Sequence, residues 1–374
     1  MTRMEYSPVQ IKGLSKQKDR FERNAVSPSL QQLFLEVTPR CNLSCAFCGS
    51  RCNEHAETEE VPLEAYGKLL KEVKENFGTK VFIVLTGGEP LLRKDLFELA
   101  AMIRDEGFLW GMTSNATLIG REEAEKLVET GIYSIAVSVD GLPAVHDRLR
   151  GKNGAFEKAI AGLECLKAAS GDENRIADIM ATTVFTRQTI GKIRDVWNLV
   201  RELPVDTWRP ISVEPVGSAR DNPDMLLTPD DFRTLLSFIR EKREEHWPVT
   251  YGCSHFLGPR FEGEVRDWYY LCSAGIHVAS VMHNGDIGSC LDIERRPETV
   301  FGNIYRDSFA DVWRNGFGIY RRGLWKLNAE CSACPDCGFC RGDSAHSWDY
   351  DENRPLVCMR EIESVRPDGK EGNV

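Results

Sequence analysis

The sequence predicts an α/β protein, a partial (β/α)6 barrel of the TIM type followed by a small cysteine-rich domain. Two observations predict this fold. From about residue 30 to residue 231, six short apolar runs alternate with amphipathic segments of helical period, the pattern of a parallel sheet covered by helices. Beyond residue 231 this alternation stops, and glycine, cysteine and aromatic residues become frequent. Such a composition indicates a small domain held together by metal rather than by a conventional core.

Six segments are predicted as strands, and five helices are predicted between them. Short apolar runs bounded by turn residues are typical of strands, and they occur at 33–37, 81–86, 109–113, 134–139, 181–185 and 208–213. The helices are predicted at 63–77, 94–107, 122–130, 156–169 and 190–203. In the first helix, for example, Leu63, Tyr66 and Leu70 fall on one face. In such a fold the functional residues lie at the carboxyl ends of the strands.

The change of pattern along the chain predicts five regions. They are an N-terminal segment (1–29), the barrel (30–231), a bridging region that begins with a helix (232–270), the cysteine-rich domain (271–365) and a tail (366–374).

Composition restricts the partners and the compartment. A formal net charge of −10 and a pI near 5.4 argue against a nucleic-acid partner, which usually leaves a basic footprint. The N-terminal stretch has no apolar signal region, and the longest apolar run, 81–85, is too short to span a bilayer. We therefore expect a soluble, cytoplasmic protein with neither a membrane nor a nucleic-acid partner. In that setting thirteen cysteines at short spacings indicate metal binding rather than disulfides.

Three cysteines follow the first predicted strand with the spacing Cys41-x3-Cys45-x2-Cys48. Three thiols at this spacing can hold three irons of a [4Fe–4S] cube and leave the fourth iron without a protein ligand. Because an ordinary electron-transfer cluster takes four cysteines, the open iron indicates a site for a ligand and for chemistry.

A second motif, Thr86-Gly87-Gly88-Glu89-Pro90, follows the second predicted strand. Together with the cysteine triplet, it resembles the motifs of the radical S-adenosylmethionine (SAM) superfamily. The resemblance covers about 200 residues and implies that the open iron binds the methionine part of SAM. Reduction would cleave SAM to a 5′-deoxyadenosyl radical, which abstracts hydrogen from a substrate. Gly87 and Gly88 would let the backbone approach the methionine closely, and Glu89 would accept a hydrogen bond from its ammonium group.

The resemblance assigns further SAM contacts to residues at the strand ends: Phe47, Ser114, Asn115, Ser138, Asp140 and Glu214. Phe47 and Glu214 would lie near the adenine, and the other four would contact the carboxylate and the ribose hydroxyls. The alternative is that the polar residues are helix caps and turn formers and that Phe47 anchors the loop.

The distal cysteines resemble the SPASM extension, which holds auxiliary clusters in peptide-maturing radical SAM enzymes. Cys272-x12-Gly285-x4-Cys290 matches its first half, and Cys331-x2-Cys334-x5-Cys340 with Cys358 matches its second half. The sequence departs from the family pattern at Ser344, where the family has a cysteine, and Cys337 is an additional cysteine.

From Cys253 onward there are eight cysteines, enough for two fully ligated [4Fe–4S] clusters. One partition assigns Cys253, Cys272, Cys290 and Cys337 to the first cluster and Cys331, Cys334, Cys340 and Cys358 to the second. A ferredoxin-like partition exchanges Cys337 and Cys340. Asp343 or Ser344 as an oxygen ligand, an open auxiliary iron, and a four-cysteine zinc site are the alternatives.

Three residues near these motifs have weaker assignments. Cys52, four residues after Cys48, is a thiol hydrogen donor near the site or a bystander, and Cys165 is a small core residue of a helix. Asp292 is a candidate base by resemblance to sulfatase-maturing enzymes, displaced by one position from the aspartate of that family.

The predicted function is therefore that of a radical SAM oxidoreductase or maturase with one radical SAM [4Fe–4S] cluster and two auxiliary [4Fe–4S] clusters. By resemblance, the substrate is a ribosomally synthesised peptide that is crosslinked, oxidised or epimerised. The alternative is small-molecule or cofactor biosynthesis, such as tetrapyrrole side-chain modification or sugar-alcohol dehydrogenation. An external electron donor such as flavodoxin or ferredoxin is implied, and a peptide substrate could require a separate recognition protein.

Overall fold

The architecture is that of a computed structural model, which describes residues 3–171, 175–252 and 254–364. One sheet contains nine strands in the order β6-β5-β4-β3-β2-β1-β7-β8-β9. Its strands are β1 Gln32–Thr38, β2 Phe82–Gly87, β3 Trp110–Ser114, β4 Ser134–Ser138, β5 Asp178–Phe185, β6 Thr207–Ser212, β7 Val278–Val281, β8 Asp286–Gly288 and β9 Gly302–Asn303. A separate hairpin pairs β10 Trp348–Asp349 with β11 Arg354–Pro355.

The helices cover this sheet and build the C-terminal region. They are α1 Pro8–Val26, α2 Leu63–Phe77, α3 Leu96–Asp105, α4 Arg121–Glu129, α5 Pro143–Arg150, α6 Ala155–Ala169, α7 Ile193–Val200, α8 Pro229–Glu244, α9 Gly258–Phe261, α10 Phe309–Asn315, α11 Gly318–Arg322, α12 Ala329–Ala333, α13 Cys337–Cys340 and α14 Met359–Ser364. No helix in the described part of the chain is long and apolar enough to cross a bilayer.

The six strands predicted from the sequence are confirmed as β1 to β6, which are parallel and adjacent in chain order. Their apolar side chains are buried beneath the helices, as Leu33, Leu35 and Val37 of β1 show. The predicted α/β partial barrel is thus confirmed, and the carboxyl ends of all six strands meet at one edge. The predicted helices correspond to α2, α3, α4, α6 and α7, and the helix of the bridging region corresponds to α8.

The sheet is longer than the sequence predicts, because β7, β8 and β9 come from the cysteine-rich region. β7 pairs in parallel with the free edge of β1, from Gln32 opposite Val278 to Leu35 opposite Val281. These strands have only four, three and two residues, too short for a periodic pattern to reveal them. The two regions of the chain therefore share one sheet.

Helix α1 was not predicted, because its sequence is polar and it buries only Gln10, Leu14 and Phe21. Its start carries a capping box in which the side chains of Ser7 and Gln10 bond each other's backbone amides. The helix packs on the C-terminal region, where the Phe21 ring lies 5.9 Å from that of Trp325. The N-terminal segment thus covers the cysteine-rich region.

A buried carboxylate joins β1 to the loop between β7 and β8. Glu36 accepts hydrogen bonds from the His283 backbone N–H (3.1 Å), and its carboxylate also contacts His283 Nδ1 (2.7 Å) and the Arg295 guanidinium. Although burial raises the pKa of Glu36, its contacts with His283 and Arg295 outweigh burial and hold the pKa below the usual range. This cluster stabilises the seam between the barrel and the cysteine-rich region.

We expect the Glu36→Gln substitution to lower the free energy of unfolding by about 2 kcal/mol, because His283 and Arg295 lose their buried counter-charge. The cost is below that of a fully buried pair, since Arg295 is about one-quarter exposed. Anaerobic denaturant unfolding of the reconstituted protein measures it, with the exposed Glu75→Gln as the matched control. Equal stability of the two variants would contradict this role.

Candidate functional site

The cysteine triplet lies in the loop after β1, and the end of α5 holds this loop. The Ser44 and Ala46 amides donate to the carbonyls of Arg150 (3.0 Å) and Leu149 (2.9 Å). Burial, with smaller contributions from Cys45 and Cys48, raises the pKa of the Cys41 thiol to about 11. The three predicted ligands are therefore close together at the carboxyl edge of the sheet.

Within residues 3–171, 175–252 and 254–364, no group of three or more His, Cys, Asp or Glu side chains could hold one metal ion. The ligands of a four-iron cube bind different irons and so stand farther apart than the ligands of one ion.

Cys52 lies closer to the triplet than the bystander interpretation implies. Its Sγ is 3.6 Å from the Sγ of Cys48 and 3.7 Å from the carbonyl oxygen of Gly87. The hydrogen bond from Cys52 lowers the pKa of Cys48 to about 6. The signal in the sequence is the Cys48-x3-Cys52 spacing, which returns the chain to the same loop.

Gly87 and Gly88, at the end of β2, lie directly against the loop that carries Cys41, Cys45 and Cys48, called the cluster loop below. The Gly88 amide donates to the Thr38 carbonyl (2.9 Å), and the Glu89 amide donates to the Arg40 carbonyl (2.8 Å). A Cβ at Gly88 would lie 2.0 Å from the Arg40 carbonyl oxygen. The pair therefore sets the distance between the loop and the end of β2, a requirement separate from the predicted approach to methionine.

Glu89, Ser114 and Asn115 form one buried group at the ends of β2 and β3. The Glu89 carboxylate accepts from the Ser114 hydroxyl (2.8 Å) and from the Asn115 amide (2.8 Å). Burial raises the pKa of Glu89 to about 7, although these hydrogen bonds oppose the rise. Asn115 also donates from Nδ2 to the Asn42 side chain (2.9 Å) in the cluster loop. The structure thus places a carboxylate that could accept from an ammonium group beside the triplet.

Asp140, two residues after β4, contacts other residues of the protein through both carboxylate oxygens. It pairs with Arg150 and accepts from the Val184 amide (2.8 Å). Phe47 faces the Arg150 guanidinium at 5.4 Å, and Ser138 is the last residue of β4. These residues are on the same side of the site, and their assignment to SAM stays a prediction.

Glu214 lies between two histidines, and its predicted position near the adenine stays a prediction. Its carboxylate is 3.2 Å from His255 Nε2 and 3.3 Å from His346 Nε2, and His255 Nδ1 is 2.6 Å from Asp343. Burial lowers the pKa of His255, but Glu214 and Asp343 outweigh it and raise the pKa to about 10. No spacing motif reveals this network in the sequence, because it joins three segments that are far apart in the chain.

The auxiliary cysteines fall into two neighbourhoods. Cys272 and Cys290 both raise the pKa of Tyr320 and of Tyr350, which places these two thiols together. A second group at α12 and α13 consists of Cys331, Cys334, Cys337 and Cys358. Cys340 adjoins both groups, because it raises the pKa of Tyr270 together with Cys272 and its own pKa is raised by burial and by Cys358. Cys253 lies outside the described residues.

This grouping bears on the two partitions of the auxiliary ligands. The charges of Cys358, Cys334 and Cys337 raise the pKa of Cys331, after its burial, so Cys337 lies with the second group. Asp343 accepts from the Phe256 amide (2.6 Å), and the Ser344 hydroxyl is bonded to Ser347 (2.8 Å). Both oxygen-ligand candidates are thus engaged in hydrogen bonds. The partition of ligands stays a prediction.

Asp292, the candidate base, is exposed two residues after Cys290. Burial lowers the pKa of His346, but Glu214 and, to a smaller extent, Asp292 outweigh burial and raise it. The structure therefore places Asp292 near the histidine network, and its role as a base stays a prediction.

These features place three free cysteines, which would hold a cluster with one open iron, at the carboxyl edge of a partial barrel. The profile of the radical SAM superfamily matches residues 35–196, and that of an iron–sulfur cluster-binding domain, SPASM, matches residues 272–338. The chain belongs to the radical SAM superfamily and carries a SPASM domain. Its cofactors are SAM, a [4Fe–4S] cluster and auxiliary iron–sulfur clusters.

Similar proteins act on different substrates. The chain is 42% identical to Fe-coproporphyrin III synthase of Methanosarcina barkeri, over 82% of this chain and 81% of that protein. It is 25% identical to AdoMet-dependent heme synthase of Nitratidesulfovibrio vulgaris (89% and 94% covered) and 28% identical to mycofactocin maturase MftC of Mycobacterium tuberculosis (87% and 80%). The structure of anSMEcpe with bound AdoMet has a TM-score of 0.70 at 19% identity, over 90% of this chain and 95% of that one.

We expect the Gly88→Ala substitution to lower the iron content of the radical SAM cluster, because the new Cβ would overlap the Arg40 carbonyl. Iron counting after anaerobic reconstitution measures the effect. Gly191→Ala, with open space around the new Cβ, is the matched control. Full iron loading of the Gly88 variant would show that the loop tolerates displacement.

The Glu214 network predicts a pH dependence of stability. Because the folded-state pKa of His255 is raised, its stabilising effect is fully present below pH 6.5 and is lost as the pH rises through about 10. The difference in unfolding free energy between wild type and Glu214→Gln should therefore shrink between pH 6.5 and pH 10. The exposed Glu164→Gln is the control, and a difference independent of pH would contradict this assignment.

Proposed function

We propose that this chain is a radical SAM enzyme that modifies a peripheral side chain of an iron tetrapyrrole. The observation that carries the proposal is the 42% identity to Fe-coproporphyrin III synthase across four-fifths of both chains. The identity to the mycofactocin maturase MftC is much lower, at 28%. A substrate class is more often shared at the higher identity, so the tetrapyrrole alternative of the sequence analysis is the better supported one.

The residues at the carboxyl edge of the sheet suit this chemistry. Cys41, Cys45 and Cys48 would hold the cluster, which with SAM supplies a 5′-deoxyadenosyl radical when bound. Glu89, fixed by Ser114 and Asn115, would accept from the SAM ammonium group and orient the cofactor. A carboxylate held by two donors moves little, and this preorganisation favours a single binding geometry.

A tetrapyrrole with carboxylate side chains requires cations at the mouth of the barrel. Arg187 is exposed and follows β5 at the same edge as the cluster loop. A guanidinium binds a carboxylate with two parallel hydrogen bonds. We assign Arg187 to a substrate carboxylate on this basis.

The auxiliary clusters would carry the electron that leaves the substrate after hydrogen abstraction. A soluble carrier such as flavodoxin or ferredoxin would supply the electron that starts each turnover. The first assignment is supported by the SPASM domain, and the second by the electron that reductive cleavage of SAM consumes.

Peptide maturation is the second candidate function. It is favoured by the 28% identity to MftC over 87% of this chain. It requires a peptide substrate instead of a tetrapyrrole, so an incubation that offers both kinds of substrate distinguishes the two functions.

The test is anaerobic reconstitution followed by incubation with SAM, a reductant and one of two probes, siroheme or Fe-coproporphyrin III. Mass spectrometry follows 5′-deoxyadenosine and the mass of the tetrapyrrole. Stoichiometric 5′-deoxyadenosine together with a lighter tetrapyrrole supports the proposal. Unchanged probes and no Soret shift on mixing would overturn it, and modification of a short peptide encoded beside the gene would establish the second candidate.

In the same assay, Cys48→Ala should lose about four irons per chain and form no 5′-deoxyadenosine, because the radical SAM cluster needs all three thiols. Cys165→Ala is the control, since Cys165 lies in α6, away from the triplet, and should keep both iron and activity. Full iron loading of the Cys48 variant would contradict the ligand assignment.

A further inference from the structure

The last residue of α5, Arg150, places a cation against one of the three cluster cysteines. Its Nη1 lies 3.6 Å from Cys45 Sγ. The side chain is only 11% exposed, so water screens its charge little. Arg150 is not among the site residues predicted from the sequence.

Two contacts prevent this guanidinium from moving away. Asp140, whose side chain is completely buried, pairs with Arg150 through Nε and Nη2. The backbone carbonyl of Arg150 accepts from the Ser44 amide in the cluster loop (3.0 Å). The distance between the cation and the sulfur is therefore set by the fold.

The other two thiols have neutral neighbours at comparable distances. Asn115 Nδ2 lies 4.0 Å from Cys41 Sγ, and the Cys52 thiol lies 3.6 Å from Cys48 Sγ. Hydrogen bonds from a charged donor are stronger than those from a neutral donor. The sulfur of Cys45 thus has a charged donor in contact with it.

A cation beside a thiolate ligand favours the reduced form of a cluster. One-electron reduction adds one negative charge without a proton, and hydrogen bonds to the sulfurs set the potential of iron–sulfur clusters. Asp140 opposes the effect, but Arg150 is the nearer charge. Nη1 is the atom that faces Cys45 Sγ, whereas Asp140 binds Nε and Nη2.

We propose that the Arg150–Asp140 pair sets the reduction potential of the radical SAM cluster, with Arg150 as a positioning residue that acts through Cys45. The guanidinium raises the potential, so that a reductant of the flavodoxin hydroquinone class can deliver the electron and become the semiquinone. The proposal depends on Cys45 being an iron ligand and is independent of the substrate.

The test is a potentiometric titration of the reconstituted holoenzyme, followed by electron paramagnetic resonance. The signal of the radical SAM cluster is identified as the one that changes when SAM is added and that is missing in Cys45→Ala. The variants are Arg150→Gln, Arg150→Lys and Asp140→Asn, and the control is Arg148→Gln, an exposed arginine on the same helix.

Opposite shifts are expected from the two members of the pair. Arg150→Gln should lower the potential, Asp140→Asn should raise it, and Arg150→Lys should lie between Arg150→Gln and wild type. With flavodoxin hydroquinone, Arg150→Gln should form 5′-deoxyadenosine about tenfold more slowly. This is the change expected if the lower potential makes the equilibrium constant of one-electron reduction about ten times smaller. A stronger reductant, titanium(III) citrate, should restore the rate.

The sign of the shifts distinguishes redox tuning from damage to the loop. If both substitutions lowered the potential, or if neither changed it while iron content stayed at the wild-type level, the proposal would be overturned. If Arg150→Gln failed to load iron, the comparison of Arg150→Lys with Asp140→Asn would decide it. Full retention of the signal in Cys45→Ala would instead contradict the ligand assignment.

Discussion

The site depends on how closely three backbone segments approach the loop that carries the cysteine triplet. The end of β2 reaches it through Gly88, the end of α5 through Gly151, and the segment after β6 through Gly217. A Cβ would lie 2.6 Å from the Ser44 carbonyl at Gly151 and 2.3 Å from the Cys48 carbonyl at Gly217. A residue larger than glycine at any of these three positions would displace the loop, and the three thiols would lose the spacing that a cluster requires.

The barrel also packs closely against the C-terminal domain. Along this seam the protein buries charges: Glu36 with His283 and Arg295, and Glu214 with His255 and His346. Breaking such a cluster is more costly than its net contribution to stability, because one charge is left buried without a partner. The seam therefore holds the C-terminal cysteines in a defined position relative to Cys41, Cys45 and Cys48.

Prediction succeeded where a local pattern carries the information. The strands β1 to β6 and the helix α2 have apolar residues at their own period, and the cysteine triplet has a spacing that is readable in eight residues. Helix α1 was missed because only Gln10, Leu14 and Phe21 are buried, and α5 because it has eight residues, half of them charged or histidine. The strand β7 was missed because β1, more than 240 residues earlier in the chain, supplies its partner.

By itself the sequence determined the α/β class, the order of six strands, the position of the cluster loop and the presence of a second cysteine-rich unit, because periodicity and cysteine spacing are local properties. Only the tertiary structure decided that Arg150 faces Cys45, that Cys52 lies beside Cys48, and that Glu214 lies between two histidines. These are contacts between segments whose separation along the chain is unrelated to their distance in space. The electrostatic environment of the cluster is therefore a property of the packed sheet edge, whereas its ligands are a property of one loop.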